Sequence, residues 1–240
     1  YIKENTYTED STIRAGWKYL YGTKKESDTI AQMMSESSVE TKLYQEYYGD
    51  EASFKNLSGN DIDIMHIATH GYFLNNETSY KDFIMKEIIR NINENQYMIR
   101  DNDNPLYRSG LMMAGCNGSW QNKEQFNDNK EDGVLTSAEI SFLDFSNTDL
   151  VVLSACETAL GNVTMDGVWG LQRAFKNAGV NTIIMSLWKV DDEATSYFMV
   201  NFYKQLLGGS SKRDAFNTAK KLTREKYGNP YYWSAFIMLD

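Results

Sequence analysis

The sequence predicts an α/β layered fold with a mostly parallel sheet. Short apolar runs rich in β-branched residues recur along the 240-residue chain. The runs are almost continuously apolar, as in strands buried on both faces of a parallel sheet. Segments of helical period separate them, which is the alternation of layered α/β proteins.

The elements follow in chain order. Thr23-Lys-Lys-Glu26 has the spacing of a capping box and opens a helix with Ile30, Met33 and Met34 on one face. Residues 61–68 (DIDIMHIA) form the first strand. Residues 75–105 look inserted, with a helical pattern (Tyr80, Phe83, Ile84, Ile88, Ile92) in polar surroundings. Residues 109–115 (SGLMMAG) form a second strand, and residues 117–133 read as a polar, acidic, exposed loop. Residues 149–155 (DLVVLSA) form the third strand. After Asp166, Val168, Leu171, Phe175 and Ala178 share a helix face closed by Gly179. Residues 180–187 (VNTIIMSL) form the fourth strand. Asp191 or Asp192 caps a helix with Thr195, Phe198, Met199, Phe202 and Leu206 inward, ended by Gly208-Gly209. Ser211 to Asp214 is a second capping box, with Ala215, Ala219 and Leu222 inward. Residues 231–239 (YYWSAFIML), after Pro230, are the fifth strand. Neither repeat nor linker interrupts this order, so residues 1–240 read as one domain with insertions at 75–105 and 117–133.

Composition narrows the function. Thirty-three acidic against 24 basic residues give a net charge of −9, which disfavours direct binding of nucleic acid through a basic face. Residues 212–226 concentrate Lys and Arg but also carry Asp214 and Glu225, and read as a solvated helix face. No apolar run reaches the ~20 residues of a membrane span, and the polar start YIKENTYTEDS lacks a signal-peptide pattern. Two cysteines make no disulfide framework; free thiols fit a reducing, cytoplasmic setting.

Sites in parallel sheets form at the carboxyl ends of strands. Cys156 stands at such an end, in LVVLSACETALG. The only two histidines, His66 and His70, lie in DIDIMHIATHGYF, with His66 inside the apolar run and His70 just past it. If the two strands are parallel neighbours, His70 and Cys156 emerge on one edge. A free thiol is only a few per cent thiolate at neutral pH. A nearby imidazole takes its proton and later delivers it to a leaving amine. Gly71 would allow a tight turn and expose an N–H for an oxyanion, with the Cys156 N–H as second donor. From these residues alone, Cys156 reads equally as a nucleophile or a small buried hydrophobe. Cys116 reads as the latter, and His66 as a packing or hydrogen-bonding residue beneath the site. The His66–His70 spacing is that of helical zinc ligands, but a strand and the lack of H-E-x-x-H argue against a metal. No G-x-S-x-G surrounds Ser154, and no glycine-rich phosphate loop is present.

Together, HIATHGYF, DGVLTSAEI, TDLVVLSACETALG, the run from GVWGLQRAF to YKQLLGG, and YYWSAFIML resemble the CHAT domain. These are bacterial caspase-like cysteine peptidases related to caspases, separase, legumain and clostripain. A weaker likeness runs through YLYGTKKESDTIAQMM and DEASFKNLS, so the resemblance spans most of the chain outside its start and the two insertions. It implies a caspase-haemoglobinase-like fold, a mostly parallel β-sheet sandwiched between helices. It implies His70 as catalytic histidine, Cys156 as nucleophile and the amides of Gly71 and Cys156 as oxyanion hole, with no obligatory third side chain. The family's first strand would lie upstream of Tyr19, where STIRAGWKYL is a poor strand. In similar enzymes the substrate pairs as an extra strand, here along Ser186, Leu187 and Trp188, with Trp188 either walling the pocket or packing. Ser154 takes the position that lines the specificity pocket in several relatives and is often acidic there; Asp191 or Asp192 would then supply negative charge for Arg or Lys, one of them serving as helix cap. Glu157 is expected to orient the turn. The implied partners are a protein or peptide substrate and a regulatory domain or activating partner, in defence or signalling. The alternative is a catalytically silent interaction module. No cofactor is implied except calcium, which activates some relatives; residues 127–132 offer oxygen ligands without an EF-hand pattern, and a solvated loop is the default.

Overall fold

The computed structural model describes residues 17, 19–73, 106, 109–117, 131–154, 165–188 and 190–240. Its strands are β1 (Ile64–Ile67), β2 (His70–Phe73), β3 (Ser109–Met112), β4 (Val134–Thr136), β5 (Leu150–Leu153), β6 (Thr182–Ser186) and β7 (Phe236–Leu239). Its helices are α1 (Tyr21–Glu36), α2 (Glu51–Lys55), α3 (Ser137–Ile140), α4 (Met165–Asn177), α5 (Asp192–Leu207), α6 (Lys212–Tyr227) and α7 (Pro230–Trp233).

The larger sheet has the order β1-β5-β6-β7. β1, β5 and β6 are parallel, with Ile67 opposite Leu153 and Leu153 opposite Met185; β7 runs antiparallel, with Ser186 opposite Phe236. Successive strand residues face opposite sides. Leu150, Val152 and Ile184 therefore pack against α1, α5 and α6 through Ile30, Met34, Phe198, Phe202 and Phe216. Val151, Leu153, Ile183 and Met185 pack against Leu171, Ala174 and Phe175 of α4. Helices on both faces bury LVVL and TIIMS throughout, and each large buried apolar side chain contributes about 1.5–3 kcal/mol. Among the described residues, no helix is long and apolar enough to cross a membrane.

A second sheet, β2-β3-β4, is antiparallel. Tyr72 lies opposite Gly110, where a Cβ would stand 2.4 Å from the Leu135 carbonyl oxygen and 2.6 Å from the Tyr72 ring. Only glycine admits this approach. Tyr72, Met112, Cys116 and Val134 form a small apolar cluster closed by Trp17.

The expected elements are present with four corrections. Residues 109–115 supply a strand, but to the antiparallel sheet, and it ends at Met112. β2 and β4 were not anticipated, because four- and three-residue strands carry too little pattern. In 231–239 the strand begins only at Phe236, since the Asn229 side chain caps a helical turn begun by Pro230. α1 starts at Tyr21, and the Thr23 hydroxyl donates to the Leu20 carbonyl (2.7 Å) instead of forming a capping box. The second capping position holds: the Ser211 hydroxyl accepts the Asp214 N–H at 3.1 Å. The insertion at 75–105, the stretch before residue 17 and residues 118–130 lie outside the described residues. At the ends of the expected exposed loop, Gly133 is buried and Asn117 half-buried.

Candidate active site

The site starts from two strands that end level. Ile67 pairs with Leu153, and the Ser154 N–H continues the ladder by donating to the Ile67 carbonyl at 2.9 Å. His70 comes three residues after Ile67, and Cys156 three residues after Leu153. Cys156 itself, like Glu157, lies outside the described residues.

His70 is the first residue of β2, opposite Met112. The preceding hydroxyl, of Thr69, donates to the Met112 carbonyl and ties the crossing between the sheets to β3. The His70 side chain is buried, and the Trp17 indole lies against it with ring centroids 5.1 Å apart and planes at 46°. Trp17 is held by Asn117: its N–H donates to Asn117 Oδ1 (2.6 Å), and Asn117 Nδ2 donates to its carbonyl (2.8 Å). Gly71 does not form the expected tight turn. It is extended within β2, opposite Leu111, because the chain enters the antiparallel sheet at His70.

Beside these strand ends is a recess of ≈ 480 Å³, counting its open mouth. Glu26, Thr69, Ser154, Ser186, Asp192 and Thr195 supply its polar lining. Ser154 Oγ is buried there without a hydrogen-bond partner among the described residues. Asp191 is the cap of α5, accepting the N–H groups of Glu193 (2.9 Å) and Ala194 (3.3 Å). Asp192 instead faces the recess, packed against Gly22 so closely that a Cβ there would meet its carboxylate at 2.6 Å. The Leu187 N–H donates to the Ala235 carbonyl at 3.0 Å, so this amide is committed to the chain leading into β7. Trp188 packs beside α5 and α6, its Nε1–H donating to the Tyr231 carbonyl at 3.0 Å.

A family model for the CHAT domain matches residues 3–240. The chain belongs to the CHAT domain family. Tetratricopeptide repeat protein 28 of Mus musculus is 34% identical over 108 residues, which cover 44% of this chain and 4% of that protein. The Homo sapiens protein of the same name is 33% identical over 108 residues, with the same shares. This CHAT domain thus spans a small fraction of the length of these curated relatives.

Below the recess, this CHAT domain buries a polar network that links three elements. Glu26, 2% exposed, bonds His66 Nε2 at 2.9 Å, and His66 Nδ1 bonds the fully buried Tyr203 hydroxyl at 3.1 Å. His66 thus hydrogen-bonds beneath the site, as expected. From sequence Glu26 was read only as the end of a capping box, not as part of a buried network. Its signal was a carboxylate in the apolar stripe of α1, four residues before Ile30 and eight before Met34.

The other cysteine is a poor nucleophile. Burial pushes the Cys116 thiol up to about 11, so almost none is thiolate at neutral pH. Of the proposed calcium ligands, residues 127–130 lie outside the described set. Glu131 bonds Lys55 at 2.6 Å, and Asp132 accepts the Val134 N–H at 2.7 Å. Among the described residues, no group of His, Cys, Asp or Glu is arranged to hold a metal ion.

Proposed function

We propose that this CHAT domain is a cysteine endopeptidase in which His70 and Cys156 act as a dyad. The observation that carries the reading is the level pairing of β1 and β5, which starts the segments to both residues from one end of the sheet. His70 takes the Cys156 thiol proton, and the thiolate attacks the peptide carbonyl carbon. The C–N bond breaks as His70 returns that proton to the leaving amine. Water, deprotonated by His70, then hydrolyses the acyl-thioester. The oxyanion is assigned to the Gly71 and Cys156 amides.

The side chain before the cut enters the recess. The described lining holds hydroxyls and the carboxylates of Glu26 and Asp192 but no Lys or Arg, which favours a basic side chain. Extended pairing of substrate then uses the backbone of Ser186 and Trp188, since Leu187 is engaged elsewhere. The two relatives named for tetratricopeptide repeats support a setting beside a repeat region that regulates the domain.

The test is turnover of a peptide library by the parent and by Cys156→Ala. Cleavage after Arg or Lys that disappears in the variant is expected, with Asp192→Asn weakening that preference. Equal rates of cleavage in parent and Cys156→Ala remove Cys156 from the mechanism and overturn the dyad, and no cleavage by the parent leaves a silent interaction module. Cleavage after acidic residues overturns the assignment of the recess alone.

A further inference from the structure

We propose that Trp17 is a positioning residue for the His70 imidazole; the inference rests on the reading of His70 as the general base. The backbone of His70 is fixed by pairing with Met112 and by the Thr69 bond to the same residue. That leaves two side-chain torsions to settle where the imidazole nitrogens point. The indole of Trp17 bounds that freedom, tilted at 46° with its centroid 5.1 Å away, while His70 as a whole is only 8% exposed. A general base misplaced by about 1 Å costs up to ~100-fold in rate. A wall against its ring is therefore a catalytic asset.

The wall is itself anchored. One carboxamide, that of Asn117, answers both the N–H and the carbonyl of Trp17, at 2.6 and 2.8 Å, across 100 residues of chain. This is a strand-like pairing made by a side chain, and it uses both polar ends of the amide. The indole packs with Tyr72, Met112, Cys116 and Val134, so it cannot swing away without opening an apolar cluster. An aromatic ring also attracts a cation, and imidazolium is the form His70 takes once it has accepted the thiol proton. Shape and charge thus act together at the step where the thiolate forms.

The same segment continues onto the substrate side. Leu20 and Gly22 line the recess only a few residues after Trp17. Trp17 therefore touches the base, and Leu20 and Gly22 touch the pocket.

The experiment compares the parent with Trp17→Ala, Trp17→Phe and Asn117→Ala by three readouts. These are kcat and KM on a cleaved peptide, the iodoacetamide alkylation rate at Cys156 resolved by mass, and spectra of histidine-labelled protein. With two histidines in the chain, the spectra hold two ring signals, and His66 in its own network is the internal control. Trp17→Ala should lower kcat about 10- to 100-fold with KM within about twofold. It should slow alkylation and move the His70 signal but not that of His66. Trp17→Phe should restore most of kcat, and Asn117→Ala should fall between. A raised KM with kcat intact would make Trp17 a substrate contact and overturn the proposal. So would a raised kcat, which would make it a cover. If the parent cleaves no peptide, the peptidase reading fails by itself. Alkylation and the His70 signal still decide this inference: unchanged in Trp17→Ala, they overturn it; both altered, they support it.

Discussion

Replacing Glu51 by glutamine should remove a pH-dependent loss of stability. The Glu51 carboxyl is 2% exposed and accepts the Gly133 N–H at 2.8 Å. Lys55 Nζ contacts Glu51, Glu131 and Glu139 at 2.6, 2.6 and 2.9 Å. Three carboxylates thus face one ammonium, and a bound proton relieves them. Burial first, then the hydrogen bond with Glu131, pushes the Glu51 carboxyl from its ordinary 4.5 up to about 8. The folded state holds this proton more tightly than the unfolded chain does. Its contribution is complete below about pH 4.5 and is lost as pH rises through about 8. At ~1.4 kcal/mol per pH unit the ceiling is about 5 kcal/mol. Glu131 and Glu139 are 41% and 39% exposed, so solvent screens their share and about 2 kcal/mol is the expected effect. Glutamine keeps an acceptor for the Gly133 N–H and carries no charge at any pH. Urea unfolding at pH 5.5 and 8.5 should show the parent losing about 2 kcal/mol more than Glu51→Gln across the interval. Parallel losses in the two proteins would refute the buried proton.

Other substitutions test other layers of the structure. Gly110→Ala should cost about 2–3 kcal/mol by forcing a methyl against the Leu135 carbonyl and the Tyr72 ring; urea unfolding measures it, and a cost under about 0.5 kcal/mol would contradict the close approach. Tyr203→Phe strips His66 Nδ1 of a buried partner and should lower stability by about 1–2 kcal/mol, read in the same assay. Cys116, with its thiol lifted to about 11, should react with a disulfide reagent at pH 7.5 roughly 100-fold more slowly than a free thiol. A fast Cys116 would mean its surroundings open readily.

The large sheet was legible because its strands are enclosed on both sides. LVVL and TIIMS are buried at every position, since Val151 and Val152 meet different helices. The capping signals of Ser211 and Asp191 were legible because they are local. What sequence hid was non-local. HGYF and VLT become strands only because Ser109–Met112 runs between them, and neither has a periodicity of its own. Pro230 turned an apparent strand into a helical turn because the Asn229 side chain was there to cap it. The resemblance and the strand-end argument pointed to His70, but nothing local announced Trp17 or Asn117. Their bond joins positions 100 residues apart, and neither residue type is unusual by itself. Glu26 was detectable in principle as a charge interrupting an apolar stripe. Only its bond to His66 explains why the interruption is tolerated.

The pairing of Ile64–Ile67 with Leu150–Leu153 also bears on assembly. Between β5 and β6 the described residues form one helix, α4, whereas β1 reaches β5 only across the whole second sheet and the 75–105 stretch. Long closures carry the larger entropic cost and slow the search. The nearer pair is thus the easier nucleus, and the β1 segment is the costlier addition. The level pairing of β1 with β5 is thereby withheld from a nascent polypeptide until the ribosome has passed β5.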